Sequence, residues 1–139
     1  MADQIPRRVT EIIENDPDLS TFNQLVRRSK AIADIDTDEQ FTVFAPTNAA
    51  FEKLPEGGLG RLVADETRLR EVMFFHVVSG MFPEVELRSL DSVPTLAGVP
   101  ALLECVGYHT YVGGAMIEVA DYAADNGFVH TIDTVMLPD

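Results

Sequence analysis

Apolar positions recur at helical spacing early in the chain and alternate at strand spacing later. Val9, Ile12 and Ile13 form a short helical stripe closed by Asn15-Asp16-Pro17. A second helix opens near Asp18 or Ser20 and carries Leu19, Phe22, Leu25 and Val26 on one face. Arg27, Arg28 and Lys30 sit near its C-terminus, where they complement the macrodipole. Phe41, Val43 and Ala45 then alternate as a strand, and Phe44 puts an aromatic on the other side, so cover on both faces is expected. Pro46 stops the ladder, and Thr47 or Asn48 can cap a helix through Ala49, Phe51 and Leu54. After Pro55-Glu56-Gly57-Gly58, a short helix carries Leu59, Leu62 and Val63. Asp65 caps the next, where Leu69, Val72, Met73 and His76 fall at i, i+3, i+4 and i+7. His76 therefore points to the core side, where a histidine is expected to be a hydrogen-bonded structural residue.

Residues 84–90 read as one more helical turn or an irregular edge. From Ser92 the pattern changes to strands, over residues 93–96, 101–106, 108–112, 115–119 and 128–137. Gly98, Gly107, Gly113-Gly114 and Asn126-Gly127 separate them, and the Gly113-Gly114 pair suits a two-residue hairpin turn. The last strand is long enough to pair with the early one and close the sheet. Helices first and strands later, with one strand inserted early, define an α+β chain.

Three ordered stretches carry a family resemblance. Phe41-Thr42-Val43-Phe44-Ala45-Pro46-Thr47-Asn48-Ala49-Ala50-Phe51 and its continuation to Pro55 resemble the first signature motif of the fasciclin (FAS1) domain family. Phe74-Phe75-His76-Val77-Val78-Ser79-Gly80 resembles the family's tyrosine–histidine segment, and residues 126–138 resemble the second signature motif. The resemblance implies a wedge-shaped β-sandwich flanked by several short α-helices, as a single domain over residues 1–139. It further implies a non-enzymatic cell-adhesion or surface-interaction module, extracellular or on the cell surface. A small bacterial member fits best, acting as a monomer without a cofactor. Its partner would be a cell-surface or matrix protein, with polysaccharide as a further candidate. The family's adhesion segments fall here on Phe75-His76 and on Asp121-Tyr122. Phe75 replaces the tyrosine and so removes a hydroxyl, while Tyr122 replaces an isoleucine. The first segment is apolar enough to belong to the core, whereas an acid beside an amphipathic aromatic suits an interface.

Composition narrows the choice. With 139 residues the length is that of one domain, and 23 acids against 10 bases leave a net charge of −13. Such a balance disfavours nucleic acid and anionic membranes. No apolar run approaches the ~20 residues of a membrane helix. Residues 1–8 lack the apolar stretch of a signal peptide, which leaves a cytoplasmic protein or a mature segment with an added methionine. Cys105, the single cysteine, precludes an internal disulfide, and between Leu103 and Val106 it is expected to be a small buried apolar side chain. The acids of residues 34–39 do not make an EF-hand, because its sixth position is Glu39 and its twelfth Ala45. No nucleophile elbow or phosphate-cradling glycine motif occurs, and His76, His109 and His130 lack zinc spacing. The chain is thus read as a non-enzyme, with no catalytic or metal residues assigned. The alternative function is a soluble domain that binds a small molecule or polysaccharide in a pocket between helices and sheet.

Overall fold

In the computed structural model, which describes residues 8–30 and 39–137, one strand lies between two apolar cores. That strand is β1 (Phe41–Pro46), and all six of its residues are buried. Phe41, Val43 and Ala45 face a first core with Val9, Ile13, Phe22, Leu25, Leu69 and Val72. Phe44 faces a second, with Phe75, Leu87, Val112, Ala115, Ile117 and Ile132. The period-2 alternation sets the split: successive side chains leave the strand on opposite sides, and here both sides are apolar.

Helices cover the first core. They are α1 (Val9–Asn15), α2 (Ser20–Arg28), α3 (Asn48–Glu52), α4 (Gly58–Ala64) and α5 (Glu66–Phe75), with a 3₁₀ turn at Pro17–Leu19 before α2. The expected caps form. Thr47 Oγ1 accepts the amide of Ala50 at 3.3 Å, and Asp65 Oδ1 accepts that of Arg68 at 3.0 Å. Asn48 has a different task, because its side-chain amide ties the β1–α3 corner to the start of α2. Oδ1 accepts the Thr21 amide at 3.0 Å, and Nδ2 donates to the Pro17 carbonyl at 3.1 Å. Asn48→Ala is expected to cost about 1–2 kcal/mol, since two backbone groups lose partners while the helix cap itself survives. Chemical denaturation of the variant checks this.

Among the described residues, seven strands are ordered β2-β1-β7-β6-β5-β4-β3. Besides β1 they are β2 (Val77–Ser79), β3 (Ser92–Pro94), β4 (Pro100–Val106), β5 (His109–Val112), β6 (Ala115–Ala124) and β7 (Gly127–Ile132). β1 and β7 run parallel from Phe41↔Gly127 to Pro46↔Ile132, whereas the other pairings are antiparallel. The two ends of the order meet, because Val78 bridges Thr95 and the Leu96 amide donates to the Val77 carbonyl at 2.9 Å. The sheet therefore folds over onto itself, and the second core fills its inside, as in a sandwich. Gly113 (φ +57) and Gly114 (φ +85) make the β5–β6 turn with the two left-handed residues that a type I′ hairpin needs.

Several expectations need correction or placement. β2 was not read from the sequence; residues 77–79 leave α5 and pair with β1. β6 runs to Ala124, well past residue 119, because a bulge lets it stay paired with β7. β7 ends at Ile132 rather than continuing to residue 137. Asp133 Oδ1 instead accepts the Met116 amide at 2.9 Å, and buried Val135 and Met136 follow in irregular chain. Cys105 is exposed, not buried: the end of the β4–β5 hairpin reaches past the second core, and Glu104 and Val106 beside it are exposed too. The acidic residues 34–38 and Pro138 lie outside the described residues. Among the described residues, no helix is long and apolar enough to cross a membrane.

Candidate functional site

The two candidate segments occupy different environments. Phe75 closes α5 and is 6% exposed; His76 follows as its C-cap and is fully buried. The His76 ring lies 5.8 Å from that of Phe22 and 6.5 Å from that of Phe75. Its Nδ1–H donates to the Val72 carbonyl at 2.7 Å, and its Nε2 accepts the Met136 amide at 3.0 Å. A carbonyl can only accept and an amide only donate, so these partners select the neutral Nδ1–H tautomer. Burial pushes the pKa down to about 4, opposed by the bond to Val72. With both nitrogens committed inside the core, this histidine joins α5 to the chain after β7. It is not open to a docking partner.

Asp121 and Tyr122 are on the surface. Both are exposed, and they sit in the β6 bulge, where the register to β7 shifts between Val119 and Tyr122. Asp121 has φ +65, a left-handed conformation that aspartate tolerates better than most residues. Its amide donates to His130 Nδ1 at 3.0 Å, and its Oδ1 accepts the Glu84 amide at 2.9 Å. The bulge is thereby fastened to β7 and to α6 (Glu84–Leu87).

A cluster that the sequence did not announce surrounds this pair. His130 is fully buried in β7, stacked between Phe44 (5.7 Å) and Phe128 (6.2 Å). Its Nε2–H donates to the Phe82 carbonyl at 2.8 Å, so this ring holds the opposite tautomer to His76. Its pKa is lowered by burial, with the Phe82 bond and then the charges of Asp121 and Glu84 opposing. Glu84 Oε2 accepts from the Thr110 hydroxyl at 3.0 Å. Arg88 donates to Thr110 Oγ1 and to the Gly107 carbonyl, each at 2.9 Å. That clamp holds the β4–β5 turn, where Tyr108 stands 97% exposed. Asp121 and His130 are visible in the sequence as single residues, but nothing local joins them to Glu84, Arg88 or Thr110, whose partners are distant in the chain.

Two shallow grooves share Leu137. One, of about 400 Å³, lies along Phe75, Val99, Leu102 and Tyr111. The other, of about 470 Å³, is lined by Leu54, Pro55 and Leu62 together with the charged Arg61, Asp65 and Arg68.

The fasciclin-domain family model matches residues 17–138, which takes in the β1–α3 corner, the bulge and β7. The chain belongs to the fasciclin-domain family. An uncharacterized protein of Synechocystis sp. is 35% identical over 93% of this chain and 96% of its own length. Periostin of Homo sapiens is 34% identical over 98% of this chain, which spans only 16% of periostin. In structure, the FAS1 domain pair of the insect cell adhesion molecule fasciclin I matches with a TM-score of 0.67. That match covers 86% of this chain and 45% of the pair at 22% identity, and it speaks to the fold alone. This fasciclin domain thus has the α+β architecture of its family, with its first signature motif forming the central strand and corner.

Proposed function

We propose that this chain is a single fasciclin domain acting as a non-enzymatic adhesion or surface-interaction module, with Asp121-Tyr122 as a contact pair. The observation that carries the reading is the way the pair is presented. An acid and an aromatic stand exposed on a bulge whose backbone is tied down by His130 and Glu84. Little conformational freedom remains to be lost when a partner binds, and rigid aromatic anchors are common at interface centres. A partner with basic groups suits the net charge of −13, and a cell-surface or matrix protein is the proposed class. An extracellular or cell-surface location follows from the same reading.

Attachment of cells and of purified matrix proteins to the immobilised domain tests it, with a thermally unfolded sample as control. Asp121→Asn with Tyr122→Ala keeps an acceptor for the Glu84 amide and a residue tolerant of positive φ. Attachment is expected to fall about 5-fold or more, the effect of losing ~1 kcal/mol at a contact, with the melting temperature nearly unchanged. Undiminished attachment would remove the pair from consideration. A second reading, binding of a small molecule, is favoured by one observation: Arg61 and Arg68, with Asp65, line the same groove as the apolar Leu54, Pro55 and Leu62. An anionic amphiphile that raises the melting temperature of the domain would support it.

A further inference from the structure

The contact pair rests on a neutral imidazole. His130 Nδ1 is an acceptor, 3.0 Å from the Asp121 nitrogen, and this bond exists only while Nδ1 carries no proton. Asp121 Oδ1 lies 3.8 Å from the same Nδ1. That oxygen is currently engaged by the Glu84 amide at 2.9 Å. Other neighbours complete the setting. Phe44 and Phe128 stack on the ring from β1 and β7, and the Phe82 carbonyl takes Nε2–H. Glu84 from α6 faces the site with its carboxylate on Thr110, and Arg88 binds the same hydroxyl. The charged groups around His130 are therefore Asp121, Glu84 and, through Thr110, Arg88.

We propose that His130 is a proton-operated latch on the Asp121-Tyr122 surface: a proton at Nδ1 breaks the bond from the Asp121 amide and draws the Asp121 carboxylate from Glu84 to the ring. The contact role of the Asp121-Tyr122 surface rests on the function proposed above; the latch itself does not. An imidazolium has two donors and no acceptor, so Nδ1–H would meet the Asp121 N–H donor to donor. The nearest group able to take the new proton is Oδ1 of the same residue, and a charge-assisted bond there is stronger than the neutral one it replaces. One oxygen cannot keep good geometry to both the ring and the Glu84 amide from its present place. The first turn of α6 loses its side-chain acceptor, and the bulge at Asp121, already at φ +65, takes a new backbone conformation that carries Tyr122 with it. The Phe82 carbonyl keeps its bond throughout, because Nε2–H is present in both states.

The sign of the pH response follows from burial. Desolvation holds His130 below its ordinary pKa, so the latch is closed at neutral pH and opens on acidification. NMR of the intact chain reads this without any variant. Histidine ring nitrogens and backbone amides are followed from about pH 7.5 downward until the domain unfolds, because burial lowers the imidazole from its ordinary value. The expected result is one midpoint shared by His130 Nδ1 and by the amides of Asp121, Tyr122 and Glu84, with Phe51 and Leu62 in the helical layer unaffected. Asp121→Asn is expected to lower that midpoint, because a neutral amide attracts the imidazolium less. Titration of His130 without movement of the Asp121 and Glu84 amides, or a ring that stays neutral until the domain unfolds, would overturn the latch.

Attachment measured over the same range separates the two proposals. A shared midpoint with attachment unchanged at every pH supports the latch and sinks the contact reading. Attachment lost in Tyr122→Ala, with no shared midpoint, supports the contact reading and sinks the latch.

Discussion

Gly127→Ala is expected to be the most damaging single-methyl change in this domain. Gly127 opens β7 and lies directly across from Phe41 in the parallel pairing with β1. A Cβ placed there would stand 1.6 Å from the Phe41 carbonyl oxygen and 2.7 Å from its carbon. Both are backbone atoms of a fully buried strand, so no side-chain rotation can make room. The strands would have to part at the junction where the Phe41 amide also donates to the Asn126 carbonyl at 2.8 Å. The φ of +156 adds strain for any residue with a side chain. Destabilisation of about 3 kcal/mol or more is expected, which lowers the melting temperature by roughly 10 °C. Gly60→Ala supplies the control. Nothing lies within 4 Å of its would-be Cβ in α4, and removing a helical glycine is expected to stabilise by about 0.5–1 kcal/mol. Opposite signs from the two glycines would confirm that contact at Phe41 is the cause; a Gly127→Ala melt like the wild type would refute it.

The second large effect is expected at His76, through both packing and pH. His76→Ala removes a fully buried ring between Phe22 and Phe75 and leaves the Met136 amide without its acceptor. A cavity and an unpaired buried donor together are expected to cost about 3–5 kcal/mol. The same side chain makes the protein sensitive to acid. Its pKa falls from 6.5 when unfolded to about 4 when folded, so between these values the unfolded chain binds the extra proton. His76 neutrality therefore contributes in full above about pH 6.5, and its contribution is lost as pH falls through about 4, to a total of about 3 kcal/mol. His130 acts in the same direction, since its pKa is also lowered. Denaturant melts across this range are expected to show stability rising with pH, with the slope in His76→Ala smaller by about one proton, or ~1.4 kcal/mol per pH unit. An unchanged slope would mean that the histidine is already protonated in the native core.

Much of the architecture was legible because it depends on neighbours in sequence. The stripe Leu69–Val72–Met73 marked the buried side of α5, and Asp65 and Thr47 were visible caps because a cap bonds only three residues ahead. Gly113-Gly114 marked a hairpin because both residues need positive φ. Alternation at Phe41–Ala45 revealed a strand with two apolar sides, and the three ordered motifs pointed to the fasciclin family. The expectation for Asp121-Tyr122 named a surface pair without revealing what holds it.

What the tertiary structure alone decided is which distant groups complete these local patterns. The last strand was expected to pair with the early one and does, but the parallel direction and the register of β1 on β7 join residues far apart in the chain and lie beyond periodicity. Cys105 has a core-like flank, but the hairpin carrying it overhangs the core, so the side chain meets water. Apolar residues return after Ile132 at Val135, Met136 and Leu137, whereas the ladder stopped where Asp133 took over the Met116 amide. The two histidines differ most of all. Each lies in a largely apolar stretch, and their opposite tautomers are set by backbone groups at Val72, Met136, Phe82 and Asp121. A residue's local spacing reports the side it faces; its charge state and its role depend on hydrogen-bond partners that only folding brings within reach.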